Sequence, residues 1–216
     1  MRRATALIAL VALVGSTTML EAQSRRGRDG GRDRGLVELG SDRQRGGFFI
    51  TGGVGAGGEQ YRFEDESVYS ERLTKPTLAV RIGGTPNQSV RVGAELFGWA
   101  NDVPGDALTA GGTESFTAAM VTAQFFPAPN SGLFLKGSGG FGRSGIDFDN
   151  GASNSETGFA WSVGAGYDIQ LSRNFGIGPS IDLYQATFAT RDEPSLSERV
   201  VTIGVQVTFQ TGGRGR

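Results

Sequence analysis

The sequence predicts an all-β fold, an antiparallel up-and-down barrel of eight strands, and three observations lead to that prediction. Apolar and polar residues alternate with a period of two along eight separate runs, which is the side-chain period of a β-strand. Short turn-forming links and long polar links alternate between those runs. The 216 residues include 36 glycines without a collagen-like repeat, which favours turns and closely approaching strands over helices.

The first segment, residues 1–22, has the layout of a secretory signal peptide. An arginine pair precedes an apolar run from Ala4 to Val14, which is too short to span a bilayer as a helix, and a polar region follows. We expect cleavage after Ala22. A buried N-terminal helix is the alternative interpretation.

The next segment, residues 23–46, is dense in Arg, Gly and Asp. It contains too little apolar surface to offset the entropy lost on ordering, so we expect a disordered tail in the periplasm. An RNA-binding segment is the alternative, but the interleaved aspartates dilute the basic charge. Residues 210–216, "QTGGRGR", form a second short tail at the C-terminus.

The barrel itself is predicted over residues 47–209. Its eight alternating runs are 48–59, 77–83, 89–100, 115–126, 133–142, 157–169, 175–188 and 199–209. Short links are "GTPNQ", "PAPNSG" and "QLSRN", and long links are "QYRFEDESVYSERLTKP", "NDVPGDALTAGGTE", "RSGIDFDNGASNSE" and "ATRDEPSLSE". An even number of strands with short turns at one end and long loops at the other describes an up-and-down barrel. Pro179 interrupts the seventh run and predicts either a bulge or a break there.

The last run shows how the two faces of each strand differ. One face carries only apolar side chains: Val201, Ile203, Val205, Val207 and Phe209. The other is small or polar: Thr202, Gly204, Gln206 and Thr208. A water-facing exterior would be crowded with Lys and Glu, whereas small side chains suit a narrow lumen. The sequence therefore predicts an eight-stranded antiparallel up-and-down transmembrane β-barrel with lipid outside, and a soluble ligand-binding barrel is the less favoured alternative.

These patterns resemble the small eight-stranded outer-membrane β-barrel family of OmpA/OmpX type over residues 46–209. "VRVGAELFGW", "LKGSGGFG" and "VGAGYDIQLS" are similar to strands of that family. Gly204, Val207 and Phe209 occupy the places of its terminal assembly signal, although seven residues follow the aromatic where many members end. The resemblance implies location in the bacterial outer membrane, with lipid, lipopolysaccharide and the barrel-assembly machinery as partners.

Six charged residues occupy the lumen face in equal numbers of each sign. They are Arg81, Arg91, Glu95, Lys136, Asp168 and Asp182. Mutual pairing that plugs the narrow bore is the preferred interpretation, and a selective ion path is the alternative.

Turn positions suggest how these charges meet. A turn centred near Pro86 would place Arg81 roughly opposite Arg91, so a carboxylate is required nearby. Glu95 is one candidate, and Asp168 is a second that would reach across the lumen. The turn at "PAPNSG" brings Lys136 near Gln124.

Composition excludes several kinds of chemistry. The chain contains no histidine and no cysteine, which removes Ser-His and Cys-His catalysis, disulfides and zinc-thiolate sites. A net charge of −1 provides no field to attract nucleic acid. The acidic loop residues Glu64, Asp65 and Glu66 are predicted to form a solvated tip with at most loose affinity for divalent cations.

From these features we expect no enzyme activity, no cofactor and no resident metal. The predicted role is structural, or interactive through the loops, with a narrow pore for small or amphipathic solutes as the alternative.

Overall fold

The structure is a computed structural model that describes residues 45–63, 69–70, 73–105, 111–188 and 195–211. The predicted signal peptide, the tail up to residue 44, the acidic tip at 64–66 and residues 212–216 lie outside the described residues. Within the described ranges, no helix is long and apolar enough to cross a membrane.

The described residues form one closed ring of antiparallel strands. The strands are β1 (Gly47–Phe63), β2 (Leu73–Asn87), β3 (Val90–Val103), β4 (Gly112–Phe125), β5 (Leu133–Phe148), β6 (Ser153–Tyr167), β7 (Ile169–Gln170), β8 (Phe175–Phe188) and β9 (Leu196–Gln210). Consecutive strands from β1 to β6 pair with each other, β6 and β7 both pair with β8, and β9 pairs with β8 and β1. Closure removes both sheet edges, as lipid requires.

Strands β6 and β7 together make one of the eight staves of the barrel. They are separated only by Asp168, and the register with β8 is the same on both sides: Gly166 pairs with Ser180, and Ile169 with Ile177. Pro179 lies opposite this interruption, where its missing N–H leaves one ladder bond unformed. The strand carrying Pro179 continues without a bulge or a break, so the predicted interruption of this strand is wrong. With β6 and β7 counted as one stave, the predicted eight-stranded barrel is confirmed.

Several strands extend further into the predicted long links than the sequence indicated. The link "RSGIDFDNGASNSE" is mostly strand, because β5 and β6 pair up to Asp147 and Ser153 and leave a turn at 149–152. Gly151 adopts a φ of 89° in that turn, a conformation that glycine tolerates best. The prediction of a long third loop is therefore wrong.

The two ends of the barrel are defined by their connections. We call the end carrying the connections at 64–72, 104–111, 149–152 and 189–195 the loop end, and the end carrying those at 88–89, 126–132 and 171–174 the turn end. Gln210, assigned by sequence to the C-terminal tail, is the last residue of β9 at the turn end.

The exterior is apolar as predicted. Val121 is 73% exposed, Ile203 65% and Val54 64%, all on the outward face, whereas Thr51, Thr202 and similar small polar residues are buried inside. A continuous exposed apolar band is typical of a surface in contact with lipid.

A filled lumen as the candidate functional site

Four of the predicted lumen charges meet in the middle of the barrel. Arg81 Nε lies 2.9 Å from Glu95 Oε1, and Lys136 Nζ lies 2.7 Å from the same oxygen. Asp182 completes the group, with Oδ1 at 2.8 Å from Lys136 Nζ and Oδ2 at 3.5 Å from Arg81 Nη2. None of the four is more than 4% exposed. We call these four residues the central network; it contains two cations and two anions.

Neutral groups complete the hydrogen bonding of the central network. The Tyr184 hydroxyl donates to Glu95 Oε1 at 2.7 Å and accepts from Lys136 Nζ at 3.0 Å. Ser138 Oγ donates to Glu95 Oε2 at 2.5 Å. Arg81 Nη1 donates to Gln206 Oε1 at 2.8 Å. A buried charge cluster of this kind is tolerated only when its donors and acceptors are paired in this way.

The predicted opposition of Arg81 and Arg91 is wrong. Strand β2 continues to Asn87, the turn occupies Gln88 and Ser89, and an irregularity between Gly84 and Asn87 shifts the pairing by one residue, so Arg81 lies opposite Glu95. The Asn87 side chain accepts a bond from the Ser89 N–H at 2.9 Å and stabilises that turn. Lys136 pairs with Gln124 as predicted.

The other two predicted charges form a separate pair nearer the turn end. Arg91 Nη1 lies 3.3 Å from Asp168 Oδ2, and Nη2 donates to Gln210 Oε1 at 2.7 Å. The guanidinium lies 5.3 Å from the ring centre of Phe49 and 5.1 Å from that of Phe126. Asp168, which lies between β6 and β7, reaches Arg91 on β3 across the lumen of the barrel.

Arg45, assigned by sequence to the tail, packs against the barrel beside this pair. Its guanidinium lies 3.8 Å from the centre of the Phe126 ring, and it donates to the carbonyl oxygens of Pro129 and Ser131. Its backbone N–H donates to Gln88 Oε1 at 2.8 Å. Arg45 thus covers the lumen at the turn end.

An aromatic layer on the loop side of the central network was not predicted. Phe97 and Tyr184 stack with ring centres 3.6 Å apart and planes 11° from parallel, and Phe116 meets Phe97 edge-on at 6.0 Å. The buried apolar cluster around them is Phe97, Trp99, Phe116, Ala118, Met120, Ala160, Tyr184, Ala186, Phe188 and Val200. The signal was present in the sequence, since Phe97 and Trp99 continue the inward alternation of Arg91 and Glu95 along β3.

A third charge cluster, also not predicted, lies beyond the aromatic layer. Lys75 Nζ is 2.7 Å from carboxylate oxygens of both Glu59 and Glu114, and it lies 3.7 Å from the ring centre of Trp99. Glu198 is also buried, with only 3% of its surface exposed. Lys75, Glu114 and Glu198 were concealed in the predicted polar links, where the strands extend beyond the apolar band, and Glu59 was the last residue of the first predicted run.

Little open space accompanies these side chains. A cavity beside Arg91 and Asp168 has a volume of about 10 Å³, and another beside Arg81 and Tyr184 has about 20 Å³. Each can hold roughly one water molecule.

Comparison with known proteins gives the fold a name. No family model and no curated protein matches the chain. Among the solved structures that match this chain are two that each cover 76% of it. One is Ail, the attachment invasion locus protein of Yersinia pestis, in complex with the heparin analogue sucrose octasulfate, and the other is Neisserial surface protein A. For Ail the TM-score is 0.51 at 15% identity over 99% of that chain, and for the Neisserial protein it is 0.53 at 11% identity over 96%.

The chain has the fold of the small eight-stranded outer-membrane β-barrels. This fold and the apolar exterior together place the protein in the bacterial outer membrane, so the alternative of a soluble ligand-binding barrel is wrong.

In this outer-membrane barrel, the residues of the predicted assembly signal lie on the closing strand. Val207 is 48% exposed on the lipid face, and the Phe209 ring lies 5.2 Å from the ring of Phe175. Gly204 pairs with Gly55 on β1, and a Cβ atom at Gly204 would come within 2.4 Å of the Val54 carbonyl oxygen. The absence of a side chain there allows β1 and β9 to approach and close the ring.

Proposed function

We propose that this protein is a structural or surface-interaction platform embedded in the outer membrane, with a lumen plugged by its own side chains. The observation that supports the proposal most strongly is the contact between Glu95 on β3 and Tyr184 on β8 at 2.7 Å. These strands lie four places apart in either direction around the ring, so the contact crosses the full width of the bore.

The plug has three layers along the barrel axis. Arg91 and Asp168 fill the lumen near the turn end, the central network fills its middle, and the Phe97–Tyr184 stack covers that network on the loop side. An ion crossing the barrel would have to separate paired charges and then pass an apolar layer that cannot replace its hydration shell. Both requirements oppose conduction.

The long connections supply the interactive part of the proposed role. Short turns of outer-membrane barrels face the periplasm and longer loops face the outside, so the loop end meets the environment. Loop segments carried on a rigid scaffold are where binding specificity usually resides. We assign no catalytic role, because the chain lacks histidine and cysteine and the predicted lumen acids Glu95, Asp168 and Asp182 are held in ion pairs.

Conductance in a planar lipid bilayer tests the plug. Full-length protein, shown to be folded by its different gel mobility before and after boiling, should give no more current than bilayers that receive detergent alone. The narrow pore is the competing function, and reproducible current steps from the folded parent protein would establish it and overturn the platform.

Assembly of the barrel would depend on β9. We propose that Gly204, Val207 and Phe209 present the signal recognised by the barrel-assembly machinery, with lipid and lipopolysaccharide as the surrounding partners. Phe209→Ala should lower the amount of folded protein in the outer membrane, whereas Phe175→Ala, which removes the ring packed against Phe209 from another strand, should lower it much less. Equal losses in the two variants would show that only the ring contact matters.

A further inference from the structure

The outer surface of β4, β5 and β6 changes abruptly from apolar to polar in consecutive cross-strand rows. One row consists of Ala119, Phe141 and Phe159, with the two rings 70% and 59% exposed. The next row toward the loop end, roughly 7 Å further along the strands, consists of Thr117, Arg143 and Thr157. The apolar band ends between these two rows, so the boundary between hydrocarbon and headgroups lies there.

A groove opens directly beyond that boundary. It has a volume of about 330 Å³. Its lining is largely hydroxyl and charged groups, among them Ser115, Thr117, Arg143, Asp147 and Ser155. Gly145 contributes no side chain between Ser115 and Ser155, its partners on the two neighbouring strands. The groove is therefore polar and lies at the level of the lipid headgroups.

Arg143 provides a positive charge in this groove with capacity for a ligand. Its Nη2 atom donates to Ser155 Oγ at 2.9 Å, which holds the guanidinium toward the groove. In the part of the chain that the structure describes, no carboxylate lies within ion-pair distance of Arg143. Its remaining N–H groups present the planar fork that binds phosphate oxygens in pairs.

We propose that this groove binds the phosphate-bearing sugar headgroup of an outer-leaflet glycolipid, with the phosphate on Arg143. The hydroxyls of Ser115 and Ser155 would hydrogen-bond sugar oxygens. Asp147 lies two rows from Arg143 toward the loop end. Its negative charge repels phosphate and so directs the phosphate to the Arg143 side of the groove. Its carboxylate oxygens can accept hydrogen bonds from sugar hydroxyls.

A membrane lipid fits better than a soluble anion because the groove continues into the apolar band. Acyl chains attached to a headgroup on Arg143 would run over Phe141, Phe159 and Val121, which are exposed in that direction. A soluble phosphate would gain only the contacts of one arginine on an exposed surface. The inference rests on the proposed function, in that the loop end must face outward.

Lipid binding by the full-length barrel tests the site. Native mass spectrometry from detergent would measure retention of bisphosphorylated lipid A and of its dephosphorylated form. Arg143→Gln should weaken retention of the phosphorylated lipid about five- to tenfold and leave the dephosphorylated lipid unaffected. Arg143→Lys, which keeps the charge without the fork, should give an intermediate value.

Arg173→Gln is the matched control, since it removes one exposed positive charge at the turn end. Retention in this variant should equal that of the parent. Equal retention by the parent and Arg143→Gln, or equal loss in the two Gln variants, would overturn the proposal. Displacement of lipid A by inorganic phosphate as effective as by lipid A itself would also overturn it, in favour of a soluble anion.

The orientation is tested separately so that the two failures can be distinguished. Ala152→Cys, at an exposed position of the 149–152 turn outside the groove, would supply the only cysteine of the chain, and a membrane-impermeant maleimide should label it in intact cells. Failure of that labelling would contradict the outward loop end, whereas unchanged lipid retention in Arg143→Gln contradicts the groove alone. All variants must first show the gel-mobility shift of a folded barrel.

Discussion

Arg81 and Glu95 lie directly opposite each other on β2 and β3, with Arg81 Nε 2.9 Å from Glu95 Oε1. Glu95 also contacts Lys136 from β5 and Tyr184 from β8. One carboxylate therefore joins four of the eight staves, which makes it the residue whose removal should affect the barrel most.

Glu95→Ala should lower the free energy of unfolding by about 3 to 5 kcal/mol, because Arg81 and Lys136 would remain buried with only Asp182 as their anion. Urea unfolding of the folded barrel in lipid vesicles, followed by tryptophan fluorescence, measures the change. The same variant should admit ionic current as its plug loosens.

Ser138→Ala is the control for that substitution. It removes one hydrogen bond to Glu95 without changing charge and should cost only about 1 kcal/mol. If the parent conducts already and Glu95→Ala changes ion selectivity with little loss of stability, the lumen is an open path.

Ile203→Arg should lower the free energy of unfolding by about 2 to 4 kcal/mol, because it places a charge in the hydrocarbon layer. Ile203 is 65% exposed on the outward face, in the middle of the apolar stretch of β9. The free energy of unfolding in vesicles would be compared with that of Thr74→Arg, an outward position beyond the apolar band, where the cost should be about 1 kcal/mol or less. Equal costs at both positions would contradict the assignment of Ile203 to the lipid face.

Gly204→Ala should destabilise the barrel by about 1 to 3 kcal/mol, since the added methyl group would come within 2.4 Å of the Val54 carbonyl oxygen and force β1 and β9 apart. Gly52→Ala on β1 is the control, because a Cβ atom there meets nothing within 4 Å. The unfolding midpoint of already folded protein separates this effect from assembly. A parent-like midpoint in Gly204→Ala would show that the close approach is dispensable.

Lys75→Met should lower stability by up to about 3 kcal/mol, because it leaves the buried Glu59 carboxylate without its cation. The companion change Glu114→Gln should cost less than about 1 kcal/mol, since that side chain is one-third exposed and water screens it. Chemical unfolding of both variants at neutral pH measures the difference. The order of the two costs is the test, and a larger cost for Glu114→Gln would show that Lys75 acts mainly through the exposed partner.

The strands and their faces could be predicted from sequence because side-chain direction is a local property of an extended chain. Alternation separated Val205 and Ile203 from Thr202 and Gln206, and the small side chains of the polar face indicated that this face lies inside, as the structure shows. Strand ends were less predictable at the loop end. Hydrophobic alternation stops where lipid stops, whereas backbone pairing of β5 with β6 continues beyond it through polar residues.

The tertiary structure alone decided which side chains meet inside the barrel. A turn located two residues later than predicted exchanged an opposition of Arg81 and Arg91 for the pair Arg81–Glu95. Contacts such as Arg91–Asp168 and Phe97–Tyr184 join strands that are not neighbours, so they depend on ring closure and on the register of every intervening strand. The sequence by itself determined an eight-stranded barrel with lipid outside and charges inside. How those charges are paired and covered followed from closure, because partners on opposite walls have no local relationship along the chain.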